Sequence, residues 1–218
     1  MIIEFKTVLN SALTEFEEKK SRFITNIKPV STEDEAISFI NEIKTKHWNA
    51  THNVYAYSIN NETLVQRFSD DGEPSGTAGM PVLEVIRRMG VQNVVVVVTR
   101  YFGGTLLGAS GLIRAYSHGT SLGLEAAEVV TRKLCLNINI MIEYTLFGKL
   151  QNMLMTNNNI IKGIQYGQDV ELTVLIEMGG EEALIKEVVE NTNGRAIIES
   201  GEKEYITLDG NGRLITAQ

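Results

Sequence analysis

Five consecutive valines at positions 94–98 limit the architectures open to this chain more than any other stretch. β-Branched residues favour extended backbone, and successive side chains on a strand point to opposite faces. A strand that is apolar on both faces has to be covered on both faces. The run is far too short to cross a bilayer. The pattern around it reads as an α+β sandwich with helices on one side of a mixed sheet.

Within residues 1–134, "SRFITNIKPV" is strand-like, and Thr32 with Glu35 forms a capping box for a helix burying Ala36, Phe39, Ile40 and Ile43. "HNVYAYSI" and "ETLVQRF" read as paired strands joined at Asn60 and Asn61. A helix with Pro81 in its first turn and Gly90 after its end precedes the valines. Another starts between Thr105 and Ser110 and runs to about Ala127.

Residues 135–218 parse separately. "LCLNINIMI" alternates as a half-buried strand, and Leu146, Phe147, Leu150, Met153 and Leu154 follow at helical spacing until the asparagines at 157–159. "IIKGIQYG" and "DVELTVLIEM" are strands around Gly167 and Gln168. Leu184, Ile185, Val188 and Val189 share a helical face closed by Gly194, and "RAIIES" with "EYITL" supplies a last strand or a hairpin. The order strand–helix–strand–strand–helix–strand is ferredoxin-like, βαββαβ. From Asp209 a turn and a frayed end are expected.

Charge divides along the same line. Residues 1–134 carry 14 Lys and Arg against 15 Asp and Glu, a net of −1, whereas 135–218 carry 6 against 12, a net of −6. An anionic partner therefore meets less repulsion on the first part. The total of −7 argues against a chain coated in basic residues for nucleic acid. The single cysteine, Cys135, excludes an intramolecular disulfide and a cysteine-based zinc cluster. The first residues lack a basic start followed by an apolar block, so no signal peptide is read and the cytoplasm is expected.

After the valines, "GGTLLGAS" has the spacing of a nucleotide-binding P-loop, with Ala109 in place of the lysine that neutralises the β and γ phosphates. Nucleotide hydrolysis is not expected. A more general anion site remains: a strand ending at Arg100, the Gly103 and Gly104 turn, a helix start and Arg114 place backbone donors and two cations together. In the competing reading the two glycines only turn the chain, Gly108 and Gly111 allow close helix–sheet packing, and the arginines pair with carboxylates.

The loop "SDDGEPSGTAG" places Asp70, Asp71 and Glu73 within four positions. They fit a magnesium site or an acid–base pair, or an Asx-type turn before a helix capped by Ser75 or Thr77. They would also hold Arg100 or Arg114 by bidentate pairing. His47 and His52 lack zinc-protease spacing, so no metal is assigned. His118 reads as structural, while His52 opens a strand beside the loops. Ser110 misses a nucleophile elbow by one residue.

Four segments together resemble the YigZ/IMPACT family: "KKSRFI" (19–24), "ATHNVYAY" (50–57), "FSDDGEPSGTAGMPVL" (68–83) and "VVVTRYFGGTLLGASGLIRAY" (96–116). Val54 departs from the pattern, which has cysteine after Asn53. The resemblance implies a two-domain bacterial layout. The first domain would have the ribosomal-protein-type α/β sandwich of the fourth domain of elongation factor G. The second would be similar to that factor's C-terminal domain. Eukaryotic relatives restrain a translational stress kinase and carry a further RWD domain, so kinase regulation is not carried over. The resemblance supplies no reaction, catalytic residue or cofactor.

The leading expectation is a non-enzymatic protein binding RNA, the ribosome or a translation factor. Arg100, Gly103, Gly104 and Arg114 would contact phosphate, and His52, Asp71, Glu73 and Ser75 would shape the surface. The rivals are an enzyme acting on a small phosphorylated substrate in the loop cleft and a protein-interaction module.

Overall fold

The computed structural model describes residues 2–61 and 63–215. It is an α+β chain that divides into two compact units, one comprising Met1–Thr131 with Leu208–Arg213, the other Arg132–Thr207 with Leu214–Gln218.

The first unit runs β1 (Glu4–Val8), β2 (Ala12–Glu18), β3 (Ser21–Pro29), α1 (Glu33–Lys46), β4 (His52–Asn60), β5 (Leu64–Ser69), α2 (Gly79–Met89), β6 (Val94–Tyr101) and α3 (Ala109–Ala126). Glu62, included in the strand expected before Phe68, lies outside the described residues. The sheet order is β2-β3-β6-β4-β5, and each neighbouring pair is antiparallel. The expected mixed sheet is thus corrected to an antiparallel one.

The valine strand β6 lies at its centre, and all five valines are fully buried. Val94, Val96 and Val98 pack in a cluster with Val82, Ile86, Leu112 and Tyr116 of α2 and α3. Val95 and Val97 pack with Ala36, Phe39, Ile40 and Ile43 of α1. Helices therefore cover both faces, not one. The alternation of β6 requires this, since each fully buried valine is worth about 1.5 kcal/mol only if its own face is covered.

Local signals set the helix ends. Thr32 Oγ1 accepts from Glu35 N at 3.2 Å, and Glu35 Oε2 accepts from Ser31 N at 2.6 Å, a capping box displaced by one residue on its return bond. Gly90, at φ +68°, terminates α2. The close approach of α3 to the sheet occurs at Gly119 and Gly123, not at Gly108 or Gly111. A Cβ on Gly123 would lie 2.7 Å from Ile27 Cδ1.

The second unit contains most of β7 (Val129–Ile142), then α4 (Tyr144–Thr156), β8 (Ile160–Tyr166), β9 (Val170–Glu177), α5 (Glu181–Thr192) and β10 (Ile197–Leu208). Its strands are ordered β10-β7-β9-β8, the ferredoxin-like arrangement. Leu136, Ile138, Ile140 and Ile142 form the sheet side of a core completed by Leu150, Leu154, Leu184 and Val188. Of the strand or hairpin expected at the end, one continuous strand forms. Val189, expected on the buried face of α5, is 43% exposed, because the buried stripe is Leu184, Val188 and Thr192. The turn at Asp209 forms by acceptance of Asn211 N and Arg213 N at Asp209 Oδ1; residues 216–218 of the expected frayed end lie outside the described part.

Candidate functional site

The carboxylate loop between β5 and α2 is held by its own side chains. Asp70 Oδ1 accepts from Ala78 N at 3.1 Å and Gly79 N at 2.8 Å, while Oδ2 accepts from Gly76 N at 2.9 Å. Asp70 therefore serves the start of α2, in place of the Ser75 or Thr77 cap expected there. Thr77 Oγ1 instead donates to Pro74 O.

Asp71, at φ +46°, accepts from Lys44 Nζ at 2.8 Å and from Asn53 N at 2.6 Å. Its carbonyl is 2.8 Å from His52 Nδ1. A carbonyl only accepts, so Nδ1 carries the proton and Nε2 is the ring atom left for other partners.

Glu73 points inward. Its Oε1 accepts from Arg100 Nη1 at 2.7 Å and from the Tyr116 hydroxyl at 2.7 Å, and Oε2 lies 3.8 Å from His52 Nε2. Burial, followed by the negative charge of Glu73, pushes the Tyr116 phenol far above its ordinary range. The three carboxylates thus serve three different sets of partners. Among the described residues no group of three or more His, Cys, Asp and Glu is arranged to hold a metal.

The arginines separate. Arg100 is only 4% exposed; Nη2 donates to Ser21 Oγ, and its guanidinium carbon is 5.5 Å from the ring centroids of both Phe23 and Phe102. Enclosed this way, Arg100 is the buried partner of Glu73 and not an exposed cation on an open polymer-binding surface. Arg114 is exposed on α3.

The two glycines also differ. Gly103 N donates to Ser21 Oγ, and a Cβ there would lie 1.9 Å from Lys20 O. Its role is contact with the β2–β3 hairpin, not donation to phosphate. Gly104 is exposed at φ +81° with open space around it. Ser75 is exposed and does not line either cavity described below.

Two hollows flank Leu107. One, of about 280 Å³, is lined by Lys19, Arg114 and His118, with Phe16 at its wall and Glu18 as its one acidic residue. The other, of about 370 Å³, is lined by His52, Glu73 and Arg100 together with Phe102, Leu106 and Ala109. Arg100 and Arg114 therefore belong to different hollows.

Lys19 and Lys20 carry no site assignment from the sequence. They connect β2 to β3, with φ +47° and +65°, the two positive values that a type I′ hairpin turn requires. Asparagine and glycine are the favoured residues there, and an ordinary side chain costs about 1 kcal/mol in the left-handed region. Two lysines between alternating strands were the available signal.

The Impact N-terminal domain family matches residues 19–124, and a domain of unknown function, DUF1949, matches 140–195. The chain is 44% identical over 206 residues to IMPACT family member YvyE of Bacillus subtilis (strain 168), covering 94% of this chain and 95% of that one. The chain belongs to the IMPACT family. IMPACT family member YigZ of Escherichia coli (strain K12) is 41% identical over 49% of this chain and 53% of its own. A solved structure described as that of a hypothetical protein shares the fold with a TM-score of 0.59 at 26% identity, over 93% of this chain and 99% of that one. Among the described residues of this IMPACT-family chain, no helix is long and apolar enough to cross a membrane.

Proposed function

We propose that the chain is a non-enzymatic cytoplasmic protein acting in translation, and that its first unit binds RNA on the ribosome or beside a translation factor. The supporting observation is the hollow bounded by Lys19, Arg114 and His118, next to the strained hairpin tip that also carries Lys20. Strain kept at an exposed site is accounted for by function more readily than by stability. The IMPACT resemblance to two domains of elongation factor G supports the tie to translation.

The ridge is small and the chain acidic, so binding is weak and salt-dependent. Fluorescence anisotropy of a single-stranded RNA oligonucleotide, repeated over a range of salt, tests it. Lys19→Asn and Lys20→Asn remove charge while suiting the turn, and Arg114→Ala alters an exposed helix position. Each is expected to weaken binding and to reduce the log–log salt slope by about one if it meets one phosphate. Unchanged affinity and slope in all three, with folding intact, would remove this ridge from the interface.

A further inference from the structure

The second hollow has a different chemistry from the basic one. Phe102, Leu106, Leu107 and Leu112 give it an apolar wall, and Leu106 is 82% exposed at its rim. Its polar part combines His52, the Glu73–Arg100 pair and the first residue of α3, Ala109. That helix begins with no side-chain cap and no acidic residue in its first turn. Its leading N–H groups therefore have neither an intrahelical partner nor a capping oxygen.

A second, independent feature points to a ligand. Arg100 lines the same hollow while only 4% exposed, and its Nη atoms are taken by Glu73 and Ser21. Its Nε is buried without a hydrogen-bond partner. A buried donor left unmade is costly, and an acceptor brought into the hollow beside Arg100 would relieve that cost.

We infer that this hollow receives the phosphate monoester of a nucleotide. The phosphate sits at the open start of α3 beside Arg100, and the base lies against Phe102 and Leu106. Helix N-termini bind phosphate through backbone donors and the macrodipole. Glu73 does not forbid the anion, because its charge is matched by Arg100 and it also accepts from Tyr116. The nearby Asp71 carboxylate is occupied by Lys44 and Asn53 N. An exposed aromatic beside an aliphatic rim suits any base, since stacking is tolerant of sequence. Small-ligand pockets begin at about 300 Å³, and this one is about 370 Å³. The same group is presented by a free mononucleotide and by the 5′-phosphorylated end of an RNA strand.

The test is a titration of the full chain, followed by amide and guanidinium N–H resonances, with UMP, uridine, inorganic phosphate, and a short RNA bearing either 5′-phosphate or 5′-hydroxyl. UMP is expected to shift Ala109 and Ser110 N–H and Arg100 Nε–H, and uridine to bind about tenfold more weakly, the equivalent of losing one charged hydrogen bond. Tighter binding of the phosphorylated strand than of UMP assigns the site to RNA ends; the reverse assigns it to free nucleotide. Ala109→Glu suits a first helical turn and so folds, yet opposes the anion. It is expected to lower UMP affinity by about tenfold or more and to leave salt-dependent RNA binding at Lys19 and Arg114 in place. The inference is overturned if neither UMP nor the phosphorylated strand moves these resonances, or if uridine binds as well as UMP. It is also overturned if A109E binds UMP unchanged, or if inorganic phosphate binds as tightly as UMP.

Discussion

Glu73 Oε1 lies 2.7 Å from Arg100 Nη1, and the two side chains are 3% and 5% exposed. The pair ties the carboxylate loop to the end of β6, and the Tyr116 hydroxyl joins α3 to the same oxygen. Replacing either charge alone leaves the other buried without its partner, a loss of about 3–5 kcal/mol. Arg100→Ala and Glu73→Ala should each lower the unfolding free energy read from urea titration by that amount. Glu73→Gln, which keeps an acceptor for Tyr116, should cost less than Glu73→Ala. Full stability in Arg100→Ala would show that the pair does not hold the loop.

Gly103 and Gly104 are expected to fail for different reasons when changed to alanine. At Gly103 the new Cβ meets the Lys20 carbonyl at 1.9 Å, so the hairpin has to shift, at about 1–3 kcal/mol or more. At Gly104 space is open and the cost is the positive φ alone, about 1–2 kcal/mol. Only Gly103→Ala should also displace the Lys19 and Lys20 amide resonances. Identical spectra for the two variants would contradict this division.

Tyr57 donates to Glu33 Oε1 at 2.7 Å, and burial, with that bond, pushes its phenol from 10.0 up to about 12. The folded chain then keeps its proton at a pH where the unfolded chain has lost it. This contribution to stability is fully present below pH 10 and is lost as pH rises from 10 toward about 12. Thermal unfolding across that window should show a loss that is shallower in Tyr57→Phe. Equal slopes for the two proteins would contradict the shift.

Each unit contains its own apolar core, so residues 1–131 and 132–218 should fold when expressed apart. Hydrogen exchange at Val96 and Ile138 reads the two cores. If Ile138 exchanges freely in the isolated fragment but is protected in the whole chain, the second unit is not autonomous.

Burial of Cys135, followed by the adjacent Glu177 charge, raises its thiol above the ordinary range, and the residue is 1% exposed. A thiol reagent should label it at neutral pH only as fast as the chain opens. Rapid labelling of the native protein would place the thiol at the surface.

Periodicity and turn chemistry were legible in the residues themselves. The βαββαβ order, the helix ends at Thr32 and Gly90, and the need for two-sided burial of residues 94–98 all follow from patterns that span a few positions. Membership of the family was legible too, because its segments are long and specific. Which faces the helices cover was not, since alternation states that a face is buried without saying which element buries it. The site was the least legible part. Glu73 is 27 positions from Arg100 and 43 from Tyr116, and Ser21 is 79 from Arg100. Pairing of the loop carboxylates with Arg100 or Arg114 was one of several readings open to the sequence, which could not choose the partners. Only the tertiary structure decides that Glu73 and Arg100 neutralise one another in the interior while Lys19 and Arg114 stay in water, because pairing depends on distance and solvent access that no local pattern encodes.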